Sequence, residues 1–202
     1  MRNRFGTLYS KYKNIWGDKP NKLLLSALQY LDIKKEVLDL GCGQGRDALF
    51  LSSLGFTVTA VDSSQEGIEI INIEAKNRKL KLNTTCQRVE NFKVQSNKYG
   101  LIQLNNVLHF LSYDDGLKVL KNVKDKIIAN GIVVVSNFTI FDESKLLKKG
   151  QFFVGKNQLA SLFSDFEVLF YEEKTFHNNG HKGDETPHSH HIAKIIARKS
   201  VN

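Results

Sequence analysis

Three glycines at every second position, set between two short apolar segments, are the feature that most constrains the fold. They are Gly41, Gly43 and Gly45 in the stretch EVLDLGCGQGRDALFLSSLGFTVTAVD, which reads as a strand over 36–40, a helix over 46–54 and a second strand over 56–61. Glycine lacks a Cβ, so the backbone there can turn sharply and approach a ligand closely. A strand, glycine loop, helix and strand in this order favour a nucleoside cofactor at the carboxyl edge of a parallel sheet.

The remainder of the chain continues this alternation of apolar runs and segments of helical period. No Pro/Ser-rich linker or internal repeat interrupts it, which favours one α/β domain with a parallel sheet and crossover helices. Further strands are expected at 84–89, 101–107, 132–138, 166–175 and 191–197. Further helices are expected at 21–31, 65–79, 114–128 and 155–163.

Composition narrows the class of protein. A chain of 202 residues fits one domain, with at most a short appendage. Two cysteines cannot form a disulfide framework, and the first residues lack the apolar core of a secretory signal. No segment approaches the roughly 20 apolar residues that span a bilayer. We therefore expect a cytoplasmic protein without a membrane partner.

The net charge of +8 is compatible with nucleic-acid binding, but the kinds of cationic residue that produce it argue against such binding. Arginine, which reads phosphate bidentately, supplies only six of the 29 cations. The densest lysine runs, at 76–81 and 145–149, lie away from the glycine loop in sequence. Nucleic acid is therefore not expected as a partner.

An acid at the end of the second strand refines the prediction of the cofactor. Asp62 is placed to accept hydrogen bonds from both hydroxyls of a ribose. A dinucleotide site would require Gly-x-Gly-x-x-Gly, whereas position 46 is Arg. The pattern Asp-x-Gly-x-Gly-x-Gly from Asp39, with Asp62 beyond it, resembles the first motif of class I S-adenosylmethionine-dependent methyltransferases. Arg46, Asp47 and the Leu-rich helix after them resemble the tellurite-resistance (TehB-like) type.

This resemblance implies a fold, a cofactor and a set of binding residues. The fold is a single-domain, Rossmann-like, doubly wound sheet of seven strands, mostly parallel, whose C-terminal strand returns antiparallel in a hairpin. The methyltransferase domain covers 21–202, and the cofactor is S-adenosyl-L-methionine. The implied cofactor-binding residues are Asp39, Gly41, Gly43, Gly45, Arg46, Asp62, Ser63, Val89, Asn105, Tyr12 and Trp16.

The N-terminal segment 1–20 is rich in aromatic residues. In the family it resembles, such a segment can fold over the cofactor, and aromatic faces attract a sulfonium cation. Tyr9, Tyr12 and Trp16 are therefore candidates for a lid. The alternative is that they only pack this segment against the domain.

Five of the six histidines lie in the segment FHNNGHKGDETPHSHH, residues 176–191. In the class I topology this segment joins the last two strands and opens at the carboxyl edge, beside the cofactor loop. Imidazoles titrate near neutral pH and are suited to removing a proton. We expect His188, His190 and His109 on the acceptor side. A metal site with Asp184 and Glu185 and a solvated loop without a role are the alternatives, and no metal is predicted.

These observations favour methyl transfer to a small acceptor. The core fold nearly fills the chain, so no separate substrate domain is expected. The resemblance suggests a soft oxyanion such as tellurite or selenite, a thiol or another small metabolite. The rival hypotheses are a methyltransferase acting on RNA or protein, and a non-catalytic protein that binds metal through its histidines. The sequence leaves the oligomeric state open.

Overall fold

A seven-stranded sheet forms the centre of the molecule in the computed structural model, which describes residues 4–31, 36–143, 149–180, 182 and 185–200. The strand order is β3-β2-β1-β4-β5-β7-β6. β7 runs antiparallel to both β5 and β6, and the remaining neighbours pair in parallel. The strands are β1 Glu36–Leu40, β2 Thr57–Asp62, β3 Leu82–Cys86, β4 Leu101–Asn105, β5 Ile132–Phe138, β6 Phe166–Asn178 and β7 His188–Lys199. The predicted Rossmann-like fold with a C-terminal antiparallel hairpin is confirmed.

Helices cover both faces of this sheet, as a doubly wound fold requires. One face packs against the apolar sides of the second, third and fourth helices, and the other packs mainly against the fifth helix. The helices are α1 Arg4–Lys11, α2 Lys22–Leu28, α3 Arg46–Ser53, α4 Gln65–Asn77, α5 Tyr113–Lys126 and α6 Gln158–Ser161. None of these described helices is both long and apolar enough to cross a membrane.

The central strands are buried on both faces, which explains their continuous apolar runs. In β1, Val37 belongs to the core cluster on the side of α2 and α3, whereas Leu38 and Leu40 belong to the cluster on the opposite side. Polar groups are therefore exposed mainly where the strands end. The carboxyl ends of β1, β2, β4 and β5 meet at one edge, which holds the predicted site.

Some boundaries differ from the sequence prediction. The strand predicted at 84–89 ends at Cys86: the Gln87 N–H makes the last bond to β2, at the Asp62 carbonyl, and a 3₁₀ turn begins at Val89. The helix predicted at 155–163 is a single turn, Gln158–Ser161, and the helix α1 was not predicted. Most of the lysine run at 145–149 lies outside the described residues, as do His181 and Asp184.

Candidate functional site

The glycine loop between β1 and α3 turns back on the end of β2. The N–H groups of Gly41 and Cys42 both donate to the Val61 carbonyl, at 2.8 and 3.1 Å. Gly41 has φ +77° and lies against Val107, and a Cβ added to it would come within 2.5 Å of that side chain. Only glycine fits this position without strain.

Gly43 is the tightest point of the loop. A Cβ on Gly43 would lie 2.8 Å from the Tyr9 hydroxyl oxygen, and a Cβ on Gly67 would lie 2.5 Å from the Gly43 carbonyl oxygen. The loop is thus held between α1 on one side and the start of α4 on the other. Glycine at 43 and 67 is therefore required for the close packing of α1 and α4 against the loop.

Asp62 joins the glycine loop to α4. Its Oδ2 accepts from the Gly43 N–H at 2.9 Å and its Oδ1 accepts from the Ser64 N–H at 2.8 Å. Burial raises the pKa of Asp62, and the N–H groups of Ser64, Gly43 and Ser63 partly offset this effect. A carboxylate has about four acceptor positions. Asp62 is therefore fixed at both oxygens and keeps capacity to accept from a ligand hydroxyl.

Asp39 is buried beneath the loop at the end of β1 and does not reach its surface. Burial raises its pKa to about 8, and the Asp47 carboxylate adds to this effect, while a Gln103 hydrogen bond and Arg46 lower it. The Arg46 side chain is bound to other parts of the protein: its Nε donates to Asp47 Oδ1 at 3.0 Å and its Nη1 donates to the Trp16 carbonyl at 3.2 Å. Asp39 and Arg46 therefore stabilise the structure around the loop.

Gln44, which the sequence reasoning missed, fastens the N-terminal segment to the glycine loop. Its Nε2 donates to the Tyr12 carbonyl at 2.7 Å, and its Oε1 accepts from the Ile15 N–H at 3.0 Å. Its side chain is buried. Gln44 stands at the unspecified position of a Gly-x-Gly pattern, so the sequence gives no signal of this role.

The N-terminal aromatic residues divide into a buried and an exposed set. Tyr9 is buried over Gly43, and burial together with the nearby Asp62 carboxylate raises its pKa. The Trp16 side chain is 43% exposed, although it shares a hydrogen bond with Tyr9. Phe5, also missed from sequence, packs its ring between Tyr9 and Phe110, with centroids 5.7 and 5.1 Å apart. The segment therefore lies along the carboxyl edge from the loop toward the end of β4.

Two further predicted binding residues lie at the strand ends. Val89 is buried in the 3₁₀ turn after β3, within the apolar cluster on the α5 side. Asn105 is the last residue of β4, and its Oδ1 accepts from the Ser136 hydroxyl. Ser63 is exposed, and its carbonyl faces the Cys86 thiol. All three border the same edge as the glycine loop.

The predicted acceptor-side histidines meet at the ends of β4, β5 and β7. The His109 and His190 rings stack on opposite sides of Phe138, with centroid distances of 4.2 and 4.5 Å and interplanar angles of 9° and 18°. His188 lies on the same face of β7 as His190, and their ring centroids are 5.0 Å apart. Phe110 lies next to His109, so ring contacts continue from here to Phe5 and Tyr9.

The histidine-bearing hairpin opens at the carboxyl edge, as the class I topology predicted. The Thr139 N–H, just beyond β5, donates to the His191 carbonyl at 3.0 Å. At the hairpin turn the Lys182 ammonium donates to the Lys13 carbonyl at 3.1 Å. The hairpin therefore reaches the N-terminal segment and borders the glycine loop region.

His109 and His190 have different surroundings. His109 is 3% exposed, burial lowers its pKa to about 3, and its Nδ1 has no hydrogen-bond partner among the described residues. His190 Nδ1 lies 3.1 Å from Asp142 Oδ2, in a loop that the sequence reasoning did not single out. A neutral buried imidazole and a carboxylate-paired imidazole thus lie on either side of one aromatic ring.

The alternative of a metal site receives no support within the described part of the chain. No group of three metal-ligating side chains comes together there. His188 Nδ1 instead contacts the Thr186 carbonyl at 2.8 Å, and His177 Nδ1 contacts the Ser189 hydroxyl at 2.7 Å. These histidines are engaged within the hairpin.

Comparisons with known proteins agree with this geometry. A family model described as Tellurite resistance protein TehB matches residues 9–193. The probable S-adenosyl-L-methionine-dependent methyltransferase TehB of Haemophilus influenzae (strain ATCC 51907 / DSM 11121 / KW20 / Rd) is 31% identical over 168 residues, which are 81% of this chain and 57% of that protein. The ubiquinone biosynthesis O-methyltransferase of Rickettsia typhi (strain ATCC VR-144 / Wilmington) is 35% identical over 113 residues, 54% of this chain and 44% of that protein.

A solved structure shows the same architecture. The crystal structure of TehB from Haemophilus influenzae matches with a TM-score of 0.77 and 26% identity, covering 88% of this chain and 61% of that one. The chain thus spans less than two thirds of the length of both TehB proteins it matches.

Proposed function

The chain belongs to the tellurite resistance protein TehB family, and on that premise we propose that it is an S-adenosylmethionine-dependent methyltransferase acting on a small acceptor. The proposal rests on one observation, namely that two different groups of residues lie at the same edge of the sheet. A glycine loop with a fixed carboxylate lies at the ends of β1 and β2. A cluster of imidazoles lies at the ends of β4, β5 and β7.

The first of these sites suits the nucleoside part of the cofactor. The loop at Gly41, Gly43 and Gly45 carries no Cβ atoms at these positions, so its backbone would lie close to the nucleoside, and Asp62 would accept from the ribose hydroxyls. Val89 and Asn105 would border the base and the methyl-bearing end. When bound, S-adenosylmethionine supplies a methyl group on a sulfonium, which is an activated leaving group.

The protein's own contribution is alignment, exclusion of water and proton removal. The N-terminal segment 1–20 would act as the lid, with Tyr9 over Gly43 and the backbone at Tyr12 held by Gln44. Trp16 would close the outer rim. His188, His190 and His109 would contact the acceptor, and the hairpin that carries the first two meets the lid at Lys13.

The acceptor is proposed to be small, as is the tellurite that the family is named for. Tellurite and selenite are candidates from the family name, and thiols share their soft chemistry. The name of the Rickettsia typhi relative specifies methylation of oxygen in that protein, so hydroxyl acceptors belong in the same comparison.

The experiment is a screen for S-adenosylhomocysteine release. The protein is incubated with S-adenosylmethionine and one acceptor at a time, namely tellurite, selenite, an alkyl thiol or a phenol, with acceptor-free and heat-inactivated controls. We expect release above both controls with at least one acceptor. His188→Ala and His190→Ala should lower turnover more than cofactor affinity. Cofactor binding without release from any acceptor class would contradict the small-acceptor proposal.

A further inference from the structure

Asp142 is a buried acid that the cofactor site does not use. It follows β5, is 4% exposed, and accepts at Oδ2 from the His191 N–H at 2.8 Å, with His190 Nδ1 3.1 Å from the same oxygen. We infer that Asp142 is a positioning residue that orients His190 as the proton acceptor of the transfer, so that the methyl acceptor is a protic nucleophile. This inference rests on the proposed function and specifies its substrate class.

The hydrogen bond between Asp142 and His190 fixes the tautomer of the His190 imidazole. An ionised carboxylate only accepts hydrogen bonds, so His190 Nδ1 must carry the proton that Asp142 Oδ2 receives. In the neutral ring the other nitrogen, Nε2, is then bare and able to take a proton. The Phe138 ring, stacked on the imidazole at 18°, holds its plane. Tautomer and ring plane are therefore both fixed by neighbouring side chains.

The other described histidines near the site differ from His190 in burial or in hydrogen-bond partner. His109 is buried, and its lowered pKa of about 3 makes it a weak base. His191 Nδ1 contacts the Thr139 hydroxyl, which can donate or accept and so fixes no tautomer. The Thr186 carbonyl only accepts, so it fixes the same tautomer for His188, but it is a neutral partner. The contact with a carboxylate oxygen therefore distinguishes His190.

The surroundings of His190 contain few charges. The titratable groups that face it are Asp142 from the loop after β5, His188 from its own strand and His109 beyond the Phe138 ring. Asp142 is the carboxylate among these groups, and its Oδ2 lies 3.1 Å from His190 Nδ1. This is the position that a carboxylate takes when it orients a catalytic imidazole.

The step balances for an acceptor of the form X–H, where X is oxygen, sulfur or selenium. The X–H bond breaks and its proton goes to His190 Nε2, while the electron pair of X forms the new bond to the methyl carbon. The carbon–sulfur bond of the donor breaks, and its electron pair stays on sulfur as a neutral thioether. The imidazolium then releases the proton to water. An acceptor without an ionisable proton would gain nothing from the oriented base.

The first test is spectroscopic and needs no substrate. Two-bond ¹H–¹⁵N spectra of the ¹⁵N-histidine-labelled full chain at pH 8.5, with His190→Gln to assign the signals, should show Nδ1 of His190 protonated and Nε2 bare. Asp142→Ala, which removes the accepting oxygen, should shift His190 toward the opposite tautomer. Thr139→Val, the matched control, loosens the same junction but should change only the His191 signals. A wild-type His190 protonated at Nε2 would overturn the inference even if Asp142→Ala does not fold.

The second test distinguishes a positioning role of Asp142 in proton transfer from a purely structural role. With S-adenosylmethionine, Asp142→Asn should lower methylation of an alkyl thiol, protonated at pH 7, by about 100-fold. It should lower methylation of an aryl thiol that is already ionised by less than about threefold. Asp142→Glu should partly restore the alkyl-thiol rate. Equal losses on the two thiols would overturn the positioning role. Failure of the proposed function would instead remove both activities and leave the His190 tautomer unchanged.

Discussion

The two ends of the functional edge are built by different means. At β1 and β2 the candidate cofactor site is largely backbone, shaped by Gly41 and Gly43 and fixed by Asp62. At β4, β5 and β7 the candidate acceptor site consists of side chains, His109 and His190, held by stacking on Phe138. The first region requires positions without a Cβ atom, which only glycine provides. The second region depends on side-chain packing between strands that are distant in sequence.

This difference suggests a division of labour. A cradle built from backbone suits a part of the ligand that never changes, as the nucleoside of a common cofactor does. A cluster built from imidazoles and aromatic rings can change with a few substitutions and suits the variable acceptor. Changes at the first region should therefore affect cofactor binding, and changes at the second should affect turnover and pH dependence.

The largest effect is expected at Gly43. Gly43→Ala adds a Cβ within 2.8 Å of the Tyr9 hydroxyl oxygen at φ +56°, and we expect it to weaken S-adenosylhomocysteine binding by about 100-fold, or ~2.7 kcal/mol. Gly55→Ala is the matched control, since Gly55 has φ +84° with nothing within 4 Å of the added Cβ. Calorimetry of both variants measures the difference. Equal affinities would show that cofactor binding does not require glycine at 43.

Gln44 tests whether the N-terminal segment is fastened by one side chain. Gln44→Ala removes two hydrogen bonds to residues 12 and 15 and should lower the free energy of unfolding by about 2 kcal/mol. Limited trypsinolysis should cleave near Lys11 and Lys13 sooner than in the parent protein. The control is Gln65→Ala, because Gln65 makes an exposed contact with Glu69. Unchanged cleavage in Gln44→Ala would mean that ring packing alone holds the segment.

The acceptor side should respond to pH through His109. Burial lowers its pKa to about 3, below the ordinary value of about 6.5. As the pH falls, His109 is therefore protonated in the unfolded chain at a higher pH than in the folded chain. Its contribution to stability is therefore complete above pH 6.5 and falls by about 1.4 kcal/mol per unit between pH 6.5 and 3. Urea unfolding of the parent and His109→Phe at pH 7.5 and 5.5 measures the difference. Parallel losses in the two proteins would rule out a neutral buried His109.

The smallest effect is expected at Trp16. Trp16 is 43% exposed, and its contact with Arg46 is made by the backbone carbonyl, which the substitution leaves in place, although the hydrogen bond with Tyr9 is lost. Because Trp16 is proposed to lie at the rim of the lid, Trp16→Ala should change S-adenosylhomocysteine affinity by less than about threefold, or ~0.6 kcal/mol. A loss of tenfold or more in calorimetry would contradict this peripheral position.

Sequence alone predicted the backbone-built region better than the side-chain-built one. The strand over 36–40 and the helix start at Arg46 were predicted correctly, because glycine spacing and apolar runs are local signals. The predicted end of β3 was wrong because the chain turns away from β2 in a 3₁₀ turn that begins at Val89. Helix α1 was missed because it is short and contains Gly6, which sequence propensity disfavours.

Residues whose role depends on pairing between distant strands were missed. Asp142 is an isolated acid in sequence, and only the register that pairs Phe138 with Ile192 brings it to His190 and His191. The histidines themselves were predicted because the resemblance supplied the topology of the last two strands. Their difference in burial was not predictable, since it depends on how closely Phe138 and its neighbours pack.

The central claim is that the glycine loop and Asp62 form a site for the nucleoside cofactor. Titration calorimetry of the full chain with S-adenosylhomocysteine tests it most directly, with Asp62→Ala as the comparison and the exposed-site Asp125→Ala as the control. The account predicts one site per chain with micromolar affinity in the parent and in Asp125→Ala, and at least tenfold weaker binding in Asp62→Ala. No binding by the parent protein at high micromolar concentration, or equal affinity in Asp62→Ala, would contradict it.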